Sequence, residues 1–141
     1  MTSRRARRPT VETRFHIEPT WWQQIGRDFR VYLYGALCQV CQEELSPTDG
    51  SLEAVDYVDP QSAEVRRLNE LWARLLSHCS QQPEYVEPNT PLTAAIFRTL
   101  LASGNRPMTP KELQRRIGKS DPQTILRILA GRPHYGILPA E

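Results

Sequence analysis

The sequence predicts an α+β fold in two successive domains: a small β-hairpin and helix, then three helices with a closing strand. Three observations carry this. Leu68, Leu71, Trp72, Leu75, Leu76 and Cys79 recur at helical spacing as one apolar stripe. Two β-rich segments precede that stripe. After residue 90, proline, glycine and short polar residues mark the starts and stops of three further helices.

Composition limits the core. Of 141 residues only 39% are hydrophobic, and 12 are proline, above a usual share of ~5%. The net charge of +2 is a difference between unlike parts. Residues 1–8 hold four arginines and no acid, residues 9–88 hold 6 basic and 13 acidic residues, and residues 89–141 hold 8 basic and 3 acidic. No apolar run approaches the ~20 residues of a membrane span. The arginine-rich start lacks the apolar stretch of a secretory signal and the amphipathic pattern of a mitochondrial presequence. A cytoplasmic protein is expected.

Residues 1–11 read as a disordered basic tail, and 12–80 as the first domain. Within it Trp21 and Trp22 read as anchors of a small core. Arg30 to Leu37 reads as a strand from its Val, Tyr and Leu content. Ser46 to Gly50 is a turn by composition, and Leu52 to Val58 alternates as a second strand, hairpinned with the first. Asp59 as cap and Pro60 as first helical residue then predict a helix from about 60 to 79. Residues 81–91 form a proline-rich linker to a domain over 92–141.

Three cysteines without a secretory signal argue against a disulfide framework and for a reducing compartment. Cys38 and Cys41 form a C-x-x-C. A thioredoxin-like redox pair needs its first cysteine at a helix N-terminus, whereas this pair follows an expected strand and no long helix reads as starting there. The other meaning is a knuckle whose two thiolates share a metal, which requires a second ligand pair. Cys79 alone would be a small buried hydrophobe, but it lies on the apolar stripe beside His78. The expected site is structural Zn²⁺ held by Cys38, Cys41, Cys79 and His78, with His16 as the alternative fourth ligand. A small core gains from such a staple.

The last 53 residues are the most legible. A helix through about Ser103 carries Leu92, Ala95, Ile96, Thr99 and Leu100 on its inner stripe and is followed by Gly104. Thr109-Pro-Lys-Glu112 is a capping box that opens a helix to Ile117, ended by Gly118. Ser120 or Asp121 caps a third helix to about Ala130, stopped by Gly131. Tyr135 to Pro139 reads as a strand pairing with the extended piece at 107–108. Over residues 90–139 this order, with Leu113, Ile117, Gly118, Ile125 and Leu129 locking two short helices, resembles the winged helix-turn-helix family.

The resemblance implies that the last helix enters the major groove of duplex DNA, presenting Gln123, Thr124 and Arg127. Lys111, Arg115, Arg116, Lys119 and Arg132 would then approach phosphates. The stretch from Gly131 to Tyr135 is short for a wing that enters the minor groove. Catalysis is not expected. His16, His78 and His134 stand in no known catalytic spacing, and no phosphate-binding loop, H-E-x-x-H or G-x-S-x-G occurs. An ion on three cysteines and a water would lack an evident base, although Glu43 and Glu44 lie near the knuckle. No small-molecule substrate or membrane partner is implied. The sequence therefore predicts a transcription-regulator-like DNA-binding protein with structural zinc. The alternative is a zinc-stabilised adaptor that docks its basic domain on an acidic protein partner.

Overall fold

Side-chain caps start four α-helices in the computed structural model, which describes residues 8–45, 54–60, 62–133 and 135–140. The described residues form seven α-helices and two two-stranded antiparallel sheets. This is the mixture of helix and sheet that an α+β reading requires. Residues 1–7 of the tail expected over 1–11, the turn at 46–50 and the first two residues of the expected strand at 52–53 lie outside the described residues. None of the described helices is long and apolar enough to cross a membrane. The chain forms two compact units. One is Trp22–Glu87, and the other joins the described residues up to Trp21 to those from Pro88 onward. The helix α1 (Pro19–Gln24) spans the boundary between them.

In Trp22–Glu87 the segment read as a strand is a helix, α2 (Phe29–Ala36). Asp28 caps it: one carboxylate oxygen accepts from the Arg30 N–H at 3.0 Å, and the Arg30 guanidinium holds both oxygens at 3.0 and 2.8 Å. Leu33, Ala36 and Leu37 are buried at i, i+3 and i+4. Phe29 packs 5.6 Å from Trp72, and Tyr32 lies 4.5 Å from Trp22, centroid to centroid. Aromatic and β-branched content favours a strand only insofar as it suits a half-buried pleat. Here burial at helical spacing decides. A second short helix, α3 (Gln39–Glu44), follows at once.

The hairpin pairs β2 (Ala54–Val58) with β3 (Val65–Asn69), in the register Ala54↔Asn69 to Val58↔Val65. The partner of 54–58 is thus 65–69 and not 30–37. Asp59 and Pro60 lie in the connecting turn, where Asp59 Oδ1 accepts from the Ser62 N–H at 3.2 Å. The helix expected from residue 60 begins ten residues later as α4 (Glu70–Ser77), capped by Asn69, whose Oδ1 accepts from the Trp72 N–H at 2.8 Å. The apolar stripe survives across this break. Leu68 contributes from β3, Leu71, Leu75 and Leu76 from α4, and Cys79 from a 3₁₀ turn, Cys79–Gln81.

The other unit begins with β1 (Phe15–Ile17), which pairs antiparallel with β4 (Ile137–Pro139) and, through Phe15, with Met108. The closing strand therefore takes β1 as its partner, where 107–108 was expected. Three helices complete the unit: α5 (Leu92–Ala102), α6 (Pro110–Ile117) and α7 (Pro122–Ala130). Past α5 the Asn105 N–H bonds Leu100 O and the Gly104 N–H bonds Leu101 O, with Gly104 at φ +73°, a Schellman ending. The capping box is formed, with Thr109 Oγ1 accepting from the Glu112 N–H and Glu112 Oε1 from the Thr109 N–H. Gly118 ends α6 at φ +82°. Phe15, Ile17, Ala95, Ile96, Leu100, Leu101, Leu113, Ile125, Leu129 and Ile137 form the core.

Candidate metal centre

Two chain breaks build the centre. After α2, Cys38 takes an extended conformation (φ −70°, ψ 163°) and stands as N-cap of α3, with Cys41 three residues on. Both thiols therefore face the same side. The C-x-x-C thus sits at the start of a six-residue helix following a helix, and not in a knuckle after a strand. At the second break α4 stops, and His78 leaves helical geometry (φ −135°, ψ −63°) before the 3₁₀ turn. In an unbroken helix adjacent residues diverge by about 100°. The kink at His78 lets neighbours in sequence address one point.

The ligand atoms of Cys38, Cys41, His78 and Cys79 all lie within 4.8 Å of one another and could bind a metal ion. His78 Nδ1 is 3.4 Å from Cys38 Sγ and 3.5 Å from Cys41 Sγ. The Cys38 backbone N–H donates to Cys79 Sγ at 3.2 Å. Cys41 and Cys79 are buried, Cys38 is half-buried and His78 is exposed, so the cluster has one solvent-facing edge.

Burial raises the Cys38 thiol, but hydrogen bonds from the Cys41 backbone and with the Cys41, Cys79 and His78 side chains outweigh it. The thiol falls from 9.0 to about 7. Cys79 moves the opposite way. Its deeper burial, reinforced by the neighbouring thiols, pushes it up to about 12 against the single backbone bond from Cys38.

One participant was not anticipated. Arg74 Nη1 donates to Cys41 Sγ at 3.5 Å and to Glu44 Oε1 at 2.6 Å. The Cys41 and Glu44 contacts raise the guanidinium pKa further above its ordinary value. Spacing alone gave no signal for it, because the contact of Arg74 with Cys41 depends on α3 and α4 meeting. Glu44 is that arginine's ion-pair partner, while Glu43 accepts from Gln39 Nε2 at 3.3 Å. His16 lies in β1, its Nε2 3.6 Å from Glu18 Oε1, and is not one of the four clustered residues. His134 is outside the described residues.

The candidate nucleic-acid contacts fall on α6, α7 and their flanks. Arg115 and Arg116 are exposed in the last turn of α6. On α7 Gln123 and Arg127 are exposed and Thr124 is half-buried. Arg132 is exposed beyond the helix. Two lysines are already engaged: Lys111 pairs with Glu12 at 2.6 Å, and Lys119 Nζ donates to the carbonyls of Pro88, at 2.8 Å, and Thr90. Asp121 is the N-cap of α7, accepting from the Thr124 N–H at 2.8 Å, a bond that lowers its carboxyl pKa. No protein-family model, curated protein or solved structure matches the chain.

Proposed function

We propose that the chain is a DNA-binding protein in which Trp22–Glu87 folds around one structural zinc ion held by Cys38, Cys41, Cys79 and His78. The observation that carries the metal assignment is the spacing of His78 Nδ1 from two thiols, 3.4 and 3.5 Å. A tetrahedral ion with Zn–S of ~2.3 Å and Zn–N of ~2.0–2.1 Å requires sulfur-to-nitrogen edges of roughly 3.6 Å. Three thiolates and an imidazole suit zinc among the common ions. Four protein ligands close its shell, so the ion would bind the start of α3 and the end of α4 together and leave no position for a substrate. The reducing conditions of the cytoplasm would keep the thiols available.

Zinc content decides this part of the reading. Protein purified without added metal should carry about one zinc per chain by elemental analysis, and Cys79→Ser should lose it. Zinc-free protein, or unchanged content in the variant, would overturn the assignment.

Charge and helix order support the DNA part. By sequence the unit up to Trp21 and from Pro88 onward holds 13 basic and 5 acidic residues, net +8, while Trp22–Glu87 holds 5 basic and 11 acidic, net −6. The arrangement of α5, α6 and α7 with short antiparallel strands is in keeping with a winged helix-turn-helix. In this reading α7 offers Gln123, Thr124 and Arg127 to base edges, and Arg115, Arg116 and Arg132 meet phosphates. Lys111 and Lys119 would first have to leave Glu12 and the Pro88 and Thr90 carbonyls. Fluorescence anisotropy with duplex DNA should show an affinity that falls steeply with salt, and Arg115→Glu with Arg116→Glu should abolish it. Absence of binding at low salt would favour the adaptor docked on an acidic protein.

A further inference from the structure

We infer that Arg74 is a positioning residue of the metal centre, an outer-shell partner that fixes Cys41 and balances the charge of the bound ion. The inference rests on the zinc reading above and extends it to a residue that is not a ligand. Zn²⁺ with three thiolates and a neutral imidazole is one unit negative, and Cys41, at 2% exposure, has little water to screen that charge. The Arg74 guanidinium supplies the missing positive unit at 3.5 Å from Cys41 Sγ.

Its placement follows from both ligand-bearing helices. On α3, Cys41 and Glu44 are three residues apart and share a face. Arg74 lies in the last turn of α4, and the N–H of the C-cap His78 bonds its carbonyl. Each helix thus brings one metal ligand and one member of the Arg74–Glu44 pair. The 2.6 Å contact to Glu44 keeps the guanidinium over the sulfur, so the ion pair is a second tie between the helices that the metal joins. An N–H···S bond draws electron density from a thiolate, which makes it less nucleophilic and holds its lone pairs in a fixed direction. Outer-shell partners of this kind typically change metal affinity by roughly 10–100-fold.

The full chain, stripped and reloaded with zinc or cobalt(II), provides the test. Arg74→Met, which keeps bulk and removes charge and donors, should weaken zinc by roughly 10–100-fold in competition with a chromophoric chelator. It should also shift the sulfur-to-cobalt charge-transfer bands and speed alkylation of Cys41. Arg74→Lys, which restores the charge without the fork, should fall between the two. A Met variant with wild-type affinity and an unchanged cobalt spectrum would overturn the inference. If that variant does not fold, Glu44→Gln decides. It frees the guanidinium from a largely exposed partner and should give a smaller loss in the same direction, whereas no change in affinity or spectrum refutes the role. Should the wild-type chain take up neither ion, the zinc reading itself fails, an outcome separate from an indifferent Arg74.

Discussion

Asn105 pairs with Ile17 as a neighbouring strand would. Its side-chain Oδ1 accepts from the Ile17 N–H at 2.8 Å and its Nδ2 donates to the Ile17 carbonyl at 2.9 Å. The residue holds φ +65°, a left-handed conformation that asparagine tolerates better than most. Asn105→Gly keeps the conformation and loses both bonds, at about 1 kcal/mol each. Asn105→Ala adds the left-handed strain, roughly 1–2 kcal/mol more. Urea unfolding should rank wild type above Gly above Ala. Equal midpoints for Gly and Ala would show that the backbone at 105 carries no strain.

Gly35 tests the reassignment of 29–36 from strand to helix. A Cβ added there would meet nothing within 4 Å. In a helix interior alanine is favoured over glycine by about 0.8–1 kcal/mol, so Gly35→Ala should raise the melting temperature. A lower one would contradict helix α2.

How much of this was readable in advance varied with the kind of signal. The ends of α6 and α7 are written in residues whose chemistry acts locally: Thr109 with Glu112, the left-handed Gly118, and Asp121. Those boundaries needed no tertiary information. The run around Val31, Tyr32 and Tyr34 was ambiguous because a short apolar segment fits either period, and Trp22 and Trp72 settled it from a distance. Asp59-Pro60 looked like a helix start but serves a hairpin turn, since both contexts favour the same residues. The four clustered residues were legible from spacing and chemistry. The kink at His78 that brings neighbours together was not, nor was Arg74, whose role depends on α3 and α4 meeting.

Asp121 gives a pH signature. Its carboxyl pKa is lowered in the fold below the ordinary 3.8 by the bond from the Thr124 N–H. A depressed folded value means that the ionised cap stabilises the protein above about pH 4 and that this contribution is lost as pH falls through the folded value. Asp121→Asn keeps a capping oxygen but no titrating charge. Wild type should therefore melt above Asp121→Asn near neutrality, with the gap closing as pH falls below the ordinary carboxyl value of 3.8 and through the lowered folded one. A gap independent of pH would show that the charge adds nothing to the cap.

Metal removal should register at Trp22. Its side chain is 1% exposed and packs on Phe29 and Tyr32 of α2, the helix that leads directly into Cys38. A chelator should loosen this unit and shift tryptophan emission to the red, with zinc restoring it. Cys38→Ser should start from the shifted spectrum. Emission unaffected by chelation would mean that the unit holds its core without the ion.

The pairing of β1 with β4 imposes an order on folding. Phe15–Ile17 leaves the ribosome well before Asn105, 88 residues on from Ile17, and before Met108 and Ile137–Pro139, which together complete its hydrogen bonds. Trp22–Glu87 lies wholly between them and contains all four clustered residues. It can close on a nascent chain while Phe15 and Ile17 still wait, exposed, for distant partners. A product cut short before Ile137 would therefore lack the strand that pairs with Phe15–Ile17 while keeping every residue of Trp22–Glu87.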